Sequence, residues 1–516
     1  CMIIANLQQL DKAKLSEFYE DKNVGQPNSD SEPQNWKYLH YKPGMCGMSG
    51  NKLEHLQKLI NTGAIPNLEV LIIDLKDEIF DRTTQLSIKN LSKLKILHVI
   101  SCRLTVEITD KALDQNFVSF VNYGQDLRNI QLNMQSMIEF GTKVVAGEDI
   151  SFLNKIPNLK SLYVSFEDFN QLADLQQLQN LERLALCNAE VNFDEPMNIE
   201  VINQLKLKEL QFQKVQFSFE NIQPQMLSKL ESLIMYQCEI DNFLFLEHCT
   251  SLRTLECDQN YKLIKQNTPD ETLEGIQFCT NLKSLLVTSW KLRTKKQTTD
   301  QLCTMSLNNL ENLHGLIELN ISVMGVQSLS PLKNLKNVEK LIMRHTLIVD
   351  RSLIPLSNFQ NLEYLNISYI PSADVSPLIN CTQLKTLVCI ECSSLRGVVG
   401  LLCKGVQIKT KSQNDNACKL NESGQVLTLE LQNQPLNASD IQQISLLKEL
   451  TSLNIGLCSL QKNKVDFGPF ETLLKLKKLN CSWYNLKSLQ FMAKLTDLEE
   501  LNISYTDISD VSFLKE

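Results

Sequence analysis

From residue 68 onward, apolar side chains recur in one fixed phrase. Two leucines stand three residues apart, a third apolar residue follows two further on, and polar or small residues fill the gaps. Near the end of the chain it reads Leu498-Glu-Glu-Leu501-Asn-Ile503-Ser-Tyr-Thr506-Asp-Ile508, and 22 residues earlier Leu476-Lys-Lys-Leu479-Asn-Cys481 repeats it. The first apolar position falls at Leu68, Leu94, Leu127, Leu159, Leu181, Leu207, Leu230, Leu252, Leu282, Leu316, Val338, Leu362, Leu384, Val426, Leu450, Leu476 and Leu498. Three residues later stands Leu, with Ile130 the one exception. The alternating part of the phrase predicts a strand whose fourth and sixth positions look inward and whose neighbours look outward. One such turn cannot bury its own apolar edge. Stacked turns share a core and form a parallel sheet with strands about 4.8 Å apart, so these copies predict a hollow side of roughly 80 Å along the stack.

The turns are uneven. Five intervals are 22 residues, among them Leu316 to Val338 and Leu362 to Leu384. Longer ones start at Leu94, Leu127, Leu252 and Leu282, and Ile108 to Phe120 is expected to form a short helix on the outer side. The 42 residues from Leu384 to Val426 leave room for an eighteenth, decayed copy at Val406 and Ile408. Residues 1–67 carry no phrase. They divide into an amphipathic stretch (Ile3, Leu7, Leu10, Phe18), a polar linker over residues 21–35, and a helix from Asn51 through Leu56 and Ile60. That helix is expected to cap the stack, as repeat folds require. The chain opens on Cys1 and stops mid-turn at Glu516, so a piece of a longer protein is expected.

This pattern identifies a leucine-rich repeat of the 22-residue type. Ser328-Leu-Ser-Pro-Leu-Lys-Asn-Leu335, Asp374-Val-Ser-Pro-Leu378 and Asp507-Ile-Ser-Asp-Val-Ser-Phe-Leu514 resemble the turns of internalins and of a nuclear protein-phosphatase regulator. The resemblance covers most of residues 68–516. It implies an α/β fold: a right-handed solenoid with a parallel concave sheet and a convex side made mainly of 3₁₀ turns and short helices. Two domains are expected, residues 1–67 and the repeat domain 68–516 with 17 to 18 repeats. One departure stands out at the ninth position of the phrase, where the family places an Asn that bonds backbone from turn to turn. Here Asn260 alone keeps it; Cys stands there four times, and elsewhere Gln135, Gln434, Thr346, Thr506, Trp290 or Tyr484.

The formal charge of −8 argues against nucleic acid as the main partner. No run of 18 apolar residues exists, so no membrane span is expected. Sixteen cysteines can mean a disulfide framework, but ten fall on core positions of the phrase. Cys102, Cys238, Cys392 and Cys458 take the ninth position, Cys257, Cys389 and Cys481 the sixth, and Cys249, Cys279 and Cys381 precede the strand within Cys-Thr-x-Leu. Buried free thiols point to a reducing, cytoplasmic compartment, with the cell surface as the alternative.

Candidate chemistry is sparse. Gly44-Met-Cys-Gly-Met-Ser-Gly50 with Lys52 misses the phosphate-loop spacing, and no H-E-x-x-H or G-x-S-x-G occurs. Cys389-Ile-Glu-Cys392, with Cys403 and Cys418, is the sharpest metal candidate, but its first two thiols fall on core positions. No cofactor, no metal and no catalysis are expected. Asn320, Asn366, Asn480 and Asn502 match the glycosylation sequon as a by-product of L-N-[IC]-S. The outward positions of the strand phrase carry Tyr163, Phe166, Tyr236, Tyr261, Arg344, His345, Tyr364, Tyr369, Trp483 and Tyr505, with an acidic patch at Glu239, Glu256 and Asp258. Aromatics and Arg dominate protein interfaces. The expectation is therefore a protein-protein interaction scaffold holding a protein partner on its concave face. The alternatives are an internalin-like surface adhesin, or the substrate-recognition part of a larger enzyme or phosphatase-regulatory assembly.

Overall fold

The computed structural model describes residues 37–41, 54–74, 85–100, 105–108, 118–122, 136–144, 150, 153, 156–166, 169–188, 197–238, 243–258, 273–288, 304–370, 372–392, 394–409, 418–421, 425–432, 436, 438–457, 465–486 and 488–508. The chain forms two compact units, Cys1–Ile240 and Asp241–Glu516.

In the first unit nine of the described strands pair side by side in parallel and in chain order: Tyr38–Tyr41, Val70–Asp74, Ile96–Ile100, Ser119–Asn122, Glu139–Val144, Ser161–Phe166, Arg183–Asn188, Glu209–Gln213 and Ser232–Tyr236. The inward row Leu71, Leu97, Phe120, Phe140, Leu162, Leu184, Leu210 and Leu233 is buried throughout. Each such side chain contributes about 1.5–3 kcal/mol of apolar burial. The helix Glu54–Asn61 buries Leu56 and Ile60, as its spacing predicts.

Three details differ from the leucine pattern. The sheet begins at Tyr38, ahead of Leu68, with Tyr38–Tyr41 in register with Val70–Ile73. The turn expected from Leu127 and Ile130 lies outside the described residues, and Ser119–Asn122 pairs directly with Glu139–Thr142. Phe120 and Phe140 fill the leucine slot there, with ring centroids 5.8 Å apart, so a leucine count passes over both turns. Of the helix expected over Ile108 to Phe120, both ends are strands, Thr105–Ile108 and Ser119–Asn122.

Among the described residues of the second unit, the strands of the leucine phrase form two sheets. Seven parallel strands run Thr254–Asp258, Ser284–Thr288, Glu318–Asn320, Lys340–Ile342, Tyr364–Asn366, Thr386–Val388 and Gln407–Lys409. The last contains Ile408 and is the decayed copy read between Leu384 and Val426. A second sheet starts with Cys418–Leu420 antiparallel to Val426–Glu430, then continues in parallel through Ser452–Asn454, Lys478–Asn480 and Glu500–Asn502. Leu365 and Leu387 are fully buried.

The outer side is built mainly of 3₁₀ turns, including Ser330–Asn334, Ile354–Asn358, Ser376–Asn380 and Gly468–Thr472. Pro near the start of each sets φ for a tight turn without wasting a donor. A side chain two residues ahead accepts the first N–H: Ser328 from Ser330, Ser352 from Ile354, Asp374 from Ser376 and Asp466 from Gly468. The repeated Ser/Asp-x-Ser-Pro-Leu wording is thus a local instruction to turn.

At Thr346 and Cys392 the ninth position keeps its turn-to-turn bond without Asn. The Thr346 hydroxyl donates to the Ile321 carbonyl of the preceding turn at 2.8 Å, and the Cys392 thiol to the Ile367 carbonyl at 3.2 Å. A second ladder of thiols runs along the outer side, with Cys381 donating to Leu356 at 3.2 Å and Cys279 to Leu246 at 3.8 Å. Replacing buried Thr346 by the isosteric Val orphans the Ile321 carbonyl. Thr346→Val should cost about 1–3 kcal/mol, read as a lowered urea midpoint with faster amide exchange at Ile321 and its neighbours. An unchanged midpoint would mean the bond contributes nothing.

Candidate functional site

The open face of the sheets is made by the third, fifth, seventh and eighth positions of the phrase, and the backbone there is unusual. In the second unit the eighth-position residues Val323, His345, Tyr369, Glu391, Trp483 and Tyr505 all have φ between 54° and 67°. In the first unit Lys214 and Gln237, at φ of 55° and 52°, are also left-handed. A left-handed conformation costs a residue with a side chain roughly 1–2 kcal/mol. The turn-to-turn bonds offset it: the N–H of Val323 donates to Arg344 O, His345 to Ser368 O, Tyr369 to Ile390 O and Trp483 to Ser504 O, at 2.7–2.9 Å.

This backbone aligns side chains of adjacent turns. His345 and Tyr369 stack with centroids 4.0 Å apart and planes 9° from parallel, and the Arg344 guanidinium lies 5.9 Å from the Tyr369 ring centroid. Trp483 and Tyr505 stack likewise at 4.0 Å and 13°. Arg344 is exposed, His345, Tyr369 and Trp483 are half-buried, and Tyr505 is 67% exposed. Tyr364 lies half-buried on the same strand as Asn366, whose amide donates to its hydroxyl at 3.4 Å. Five of the ten outward residues therefore form two groups, Arg344 with His345 and Tyr369, and Trp483 with Tyr505.

The other outward residues behave differently. Tyr163 is only 5% exposed and packs with Val121, Ala185 and Cys187, so it belongs to the packing of the first unit and not to a free surface. The expectation that it binds a partner is corrected by its burial. Gly141 makes room for it: a Cβ there would lie 2.9 Å from Val121 Cγ1 and 3.4 Å from Tyr163 Cβ. Burial, then the neighbouring Glu139 carboxylate, push the Tyr163 phenol well above its ordinary value. Phe166 ends its strand in register with Asn188, and Tyr236 is half-buried at the end of Ser232–Tyr236. Tyr261 and Glu239 lie outside the described residues, as do Gly44 to Gly50 and Lys52.

Around Tyr163 lies a polar network that the leucine phrase gave no reason to expect. His98 Nε2 is 2.8 Å from Ser119 Oγ, and Ser119 donates to Glu139 at 2.7 Å. Arg183 Nε donates to Ser161 Oγ at 2.9 Å. Ser, His and Glu together invite comparison with a hydrolytic triad, but in a triad the carboxylate orients the His and leaves the Ser hydroxyl to it. Here Glu139 takes the one hydroxyl hydrogen of Ser119, so His98 has no proton to abstract from it. The network satisfies buried polar groups.

The Asn of the L-N-[IC]-S copies serves the fold. Asn320, Asn366, Asn480 and Asn502 each accept the N–H two residues on through Oδ1, at 3.0–3.1 Å. Ser322 and Ser368 then accept the N–H of Arg344 and Ile390 from the next turn. The acidic pair Glu256 and Asp258 sits on the open face, and burial, then Asp258, raise the Glu256 carboxyl.

Cys389 and Cys392 do not converge. Their thiols point to opposite neighbours, Cys389 to Lys409 O at 3.6 Å and Cys392 to Ile367 O at 3.2 Å. Among the described residues no group of three or more His, Cys, Asp or Glu has metal-holding geometry, and no helix is long and apolar enough to cross a membrane. Burial pushes the thiols of Cys238, Cys279 and Cys481 up to about 12 and those of Cys381 and Cys392 up to about 11. A raised folded value means the neutral thiol is the stable form inside. The stability is complete below the ordinary thiol value and is lost as pH climbs from about 9 toward 12, at about 1.4 kcal/mol per pH unit for each thiol. Urea unfolding at pH 8 and pH 10.5 should show this loss, and Cys481→Ala should reduce the slope. Identical slopes for the two proteins would remove Cys481 from the effect.

No family model and no curated protein matches the chain. Among solved structures it is similar to an internalin from Listeria monocytogenes, at 16% identity over 83% of this chain and 87% of that one with a TM-score of 0.36. It is also similar to a leucine-rich repeat protein from Leptospira interrogans, at 16% identity over 92% of each chain with a TM-score of 0.35. A plant peptide hormone receptor in complex with RGF2 gives 15% identity over 89% of this chain and 86% of that one, with a TM-score of 0.35. Identities this low bear on fold alone, and the fold stands on the chain's own repeats. With periodic leucines, parallel strands in register and 3₁₀ outer turns, the chain is a leucine-rich repeat protein.

Proposed function

We propose that this chain is a non-catalytic recognition scaffold that holds a protein partner on the open, concave face of its second unit. The observation that carries this reading is the pair of aromatic stacks at the eighth position. Trp483 on Tyr505 and His345 on Tyr369 present broad, rigid rings beside Arg344, in a backbone that the turn-to-turn bonds hold fixed. Rings with few rotamers lose little entropy on binding, which is why such residues anchor interfaces. Supporting it, the nearby polar side chains Asn320, Asn366, Ser322 and Ser368 are committed to backbone, whereas Arg344 and Tyr505 are exposed on the same face. The net charge of −8 disfavours nucleic acid.

The nine described free cysteines support a reducing compartment and disfavour the adhesin reading. Thiol titration of the denatured, unreduced chain separates the two, few free thiols favouring the adhesin.

The test compares two kinds of variant against a partner captured from the native source and then purified. Trp483→Ala with Tyr505→Ala should weaken its affinity at least tenfold, with little change in thermal unfolding, because Tyr505 is exposed. Tyr163→Ala should do the reverse, costing about 3–5 kcal/mol of stability as buried aromatic truncations do. If the Trp483 and Tyr505 changes shift unfolding and leave affinity alone, those rings are packing and the assignment fails.

A further inference from the structure

The turn that begins at Val338 runs 24 residues to Leu362, against 22 for the turns on either side. On the sheet side the extra length leaves no trace, since Lys340–Ile342 is in register with Tyr364–Asn366. On the flank it breaks a ladder. Thr304–Met305, Gly325–Val326 and Leu347–Ile348 form one short parallel ladder. Ser372–Asp374 and Ser394–Arg396 form another, and among the described residues nothing joins the two. At this break a cleft of about 110 Å³ opens, walled by Leu347, Ile348, Leu353, Ile370 and Ala373.

Arg351 is the one charged group on its lining. Thr346 also reaches the cleft, but its hydroxyl is already given to Ile321 O. Arg351 has φ of 52° and donates its backbone N–H to Ile348 O at 3.2 Å. It is the single left-handed side-chain-bearing residue described in the second unit that is not at the eighth position. Backbone strain of this kind persists where the surroundings enforce it. The Arg351 guanidinium has no ion pair among the described residues, and the adjacent Asp350 carboxylate accepts the Ser352 N–H at 3.0 Å. Two large apolar side chains on either side of Arg351 stand in solvent, Val349 at 56% and Ile354, which opens the next 3₁₀ turn, at 67% exposure.

We propose that this cleft receives the last residue of a partner polypeptide, with a Val, Leu or Ile side chain in the cleft and the terminal carboxylate on Arg351. Size sets the first half. A dry cavity of about 150 Å³ holds benzene, so about 110 Å³ suits one aliphatic side chain and not a whole strand. Charge sets the second, since a guanidinium fork matches a carboxylate through two parallel hydrogen bonds. An acidic residue next to the apolar one in an extended chain points to the opposite face, and one two residues on stands about 7 Å away along the strand. Only a C-terminal residue carries the side chain and the carboxylate on one Cα. Val349 and Ile354 favour a polypeptide over a small free acid, because a small acid would leave both uncovered. The site lies on the flank of the second unit and stands whether or not the open face binds a partner.

The test uses the full chain and fluorescence anisotropy with labelled hexapeptides Gly-Ser-Gly-Ser-Gly-X, X being Val, Leu or Ile, as free acids and as C-terminal amides. At least one free acid should bind saturably and its amide at least tenfold more weakly. Arg351→Gln should lose that acid-over-amide preference, Ala373→Phe should abolish binding by filling the cleft, and Ile354→Ser should weaken it several-fold. If Ala373→Phe does not fold, the exposed positions 351 and 354 decide the matter alone. Absence of saturable binding, equal binding of acid and amide, or indifference to Arg351→Gln overturns the proposal. So does 4-methylpentanoate binding as tightly as the peptide, which makes this a small-acid site.

Discussion

Each turn of this chain is incomplete by itself, and everything else in the structure depends on how adjacent turns close on one another. A strand of three to six residues with one inward leucine has no core of its own. It acquires one when the next strand lays its leucine alongside and accepts its backbone hydrogen bonds, as Leu341, Leu365 and Leu387 do in succession. Stability in such a stack is a sum of neighbour terms. Leu365 and Leu387, with a strand on both sides, are fully buried, whereas Leu501, with a described strand on one side only, is half-buried. The same dependence explains why Phe120 and Phe140 serve as well as leucine. What the neighbour needs is an inward apolar surface at the right height.

Strand spacing then dictates what the outer face can display. Adjacent strands stand about 4.8 Å apart, close to the separation at which aromatic rings stack. Two aromatics at the same position of adjacent turns are brought into contact by the backbone alone. His345 with Tyr369 and Trp483 with Tyr505 are therefore consequences of the ladder, and the left-handed eighth residue sets their common direction. In the first unit the fifth position meets the same condition with the opposite result. Val121, Gly141, Tyr163 and Ala185 follow one another across the sheet, and the alternation of large and small lets Tyr163 lie down and be covered. Identity at one residue decides whether an outward aromatic is packing or surface.

Much of this was legible in the chain itself. The leucine phrase, the 3₁₀ outer turns behind Ser-Pro-Leu, and the free cysteines at the sixth and ninth positions all follow from local rules that each turn states again. The turns at Phe120 and Phe140 were hidden because their apolar residue is aromatic. Tyr163 was misplaced because outward direction on a strand does not fix exposure; that depends on residues one and two strands away, such as Gly141, which lie about 20 positions off in sequence. The network of His98, Ser119 and Glu139 is invisible for the same reason, since its members come from three different turns. The pairing of His345 with Tyr369 could have been found by comparing eighth positions of consecutive turns.

The missing asparagines are the sharpest case of chemistry surviving a change of residue. Where this bond survives, the ninth position supplies one buried donor aimed at the carbonyl of the sixth residue one turn back. Asn does it with an amide, Thr346 with a hydroxyl and Cys392 with a thiol. A thiol donates weakly, yet it leaves little polar surface to desolvate, so a fully enclosed site tolerates it well. The thiols at Cys279 and Cys381 extend this economy to the outer side, where each bonds a carbonyl of the preceding 3₁₀ turn. A chain that uses Cys as a buried donor in this way needs those thiols reduced and protonated. The abundance of cysteine is then a property of the ladder, with the raised thiol values as its electrostatic signature.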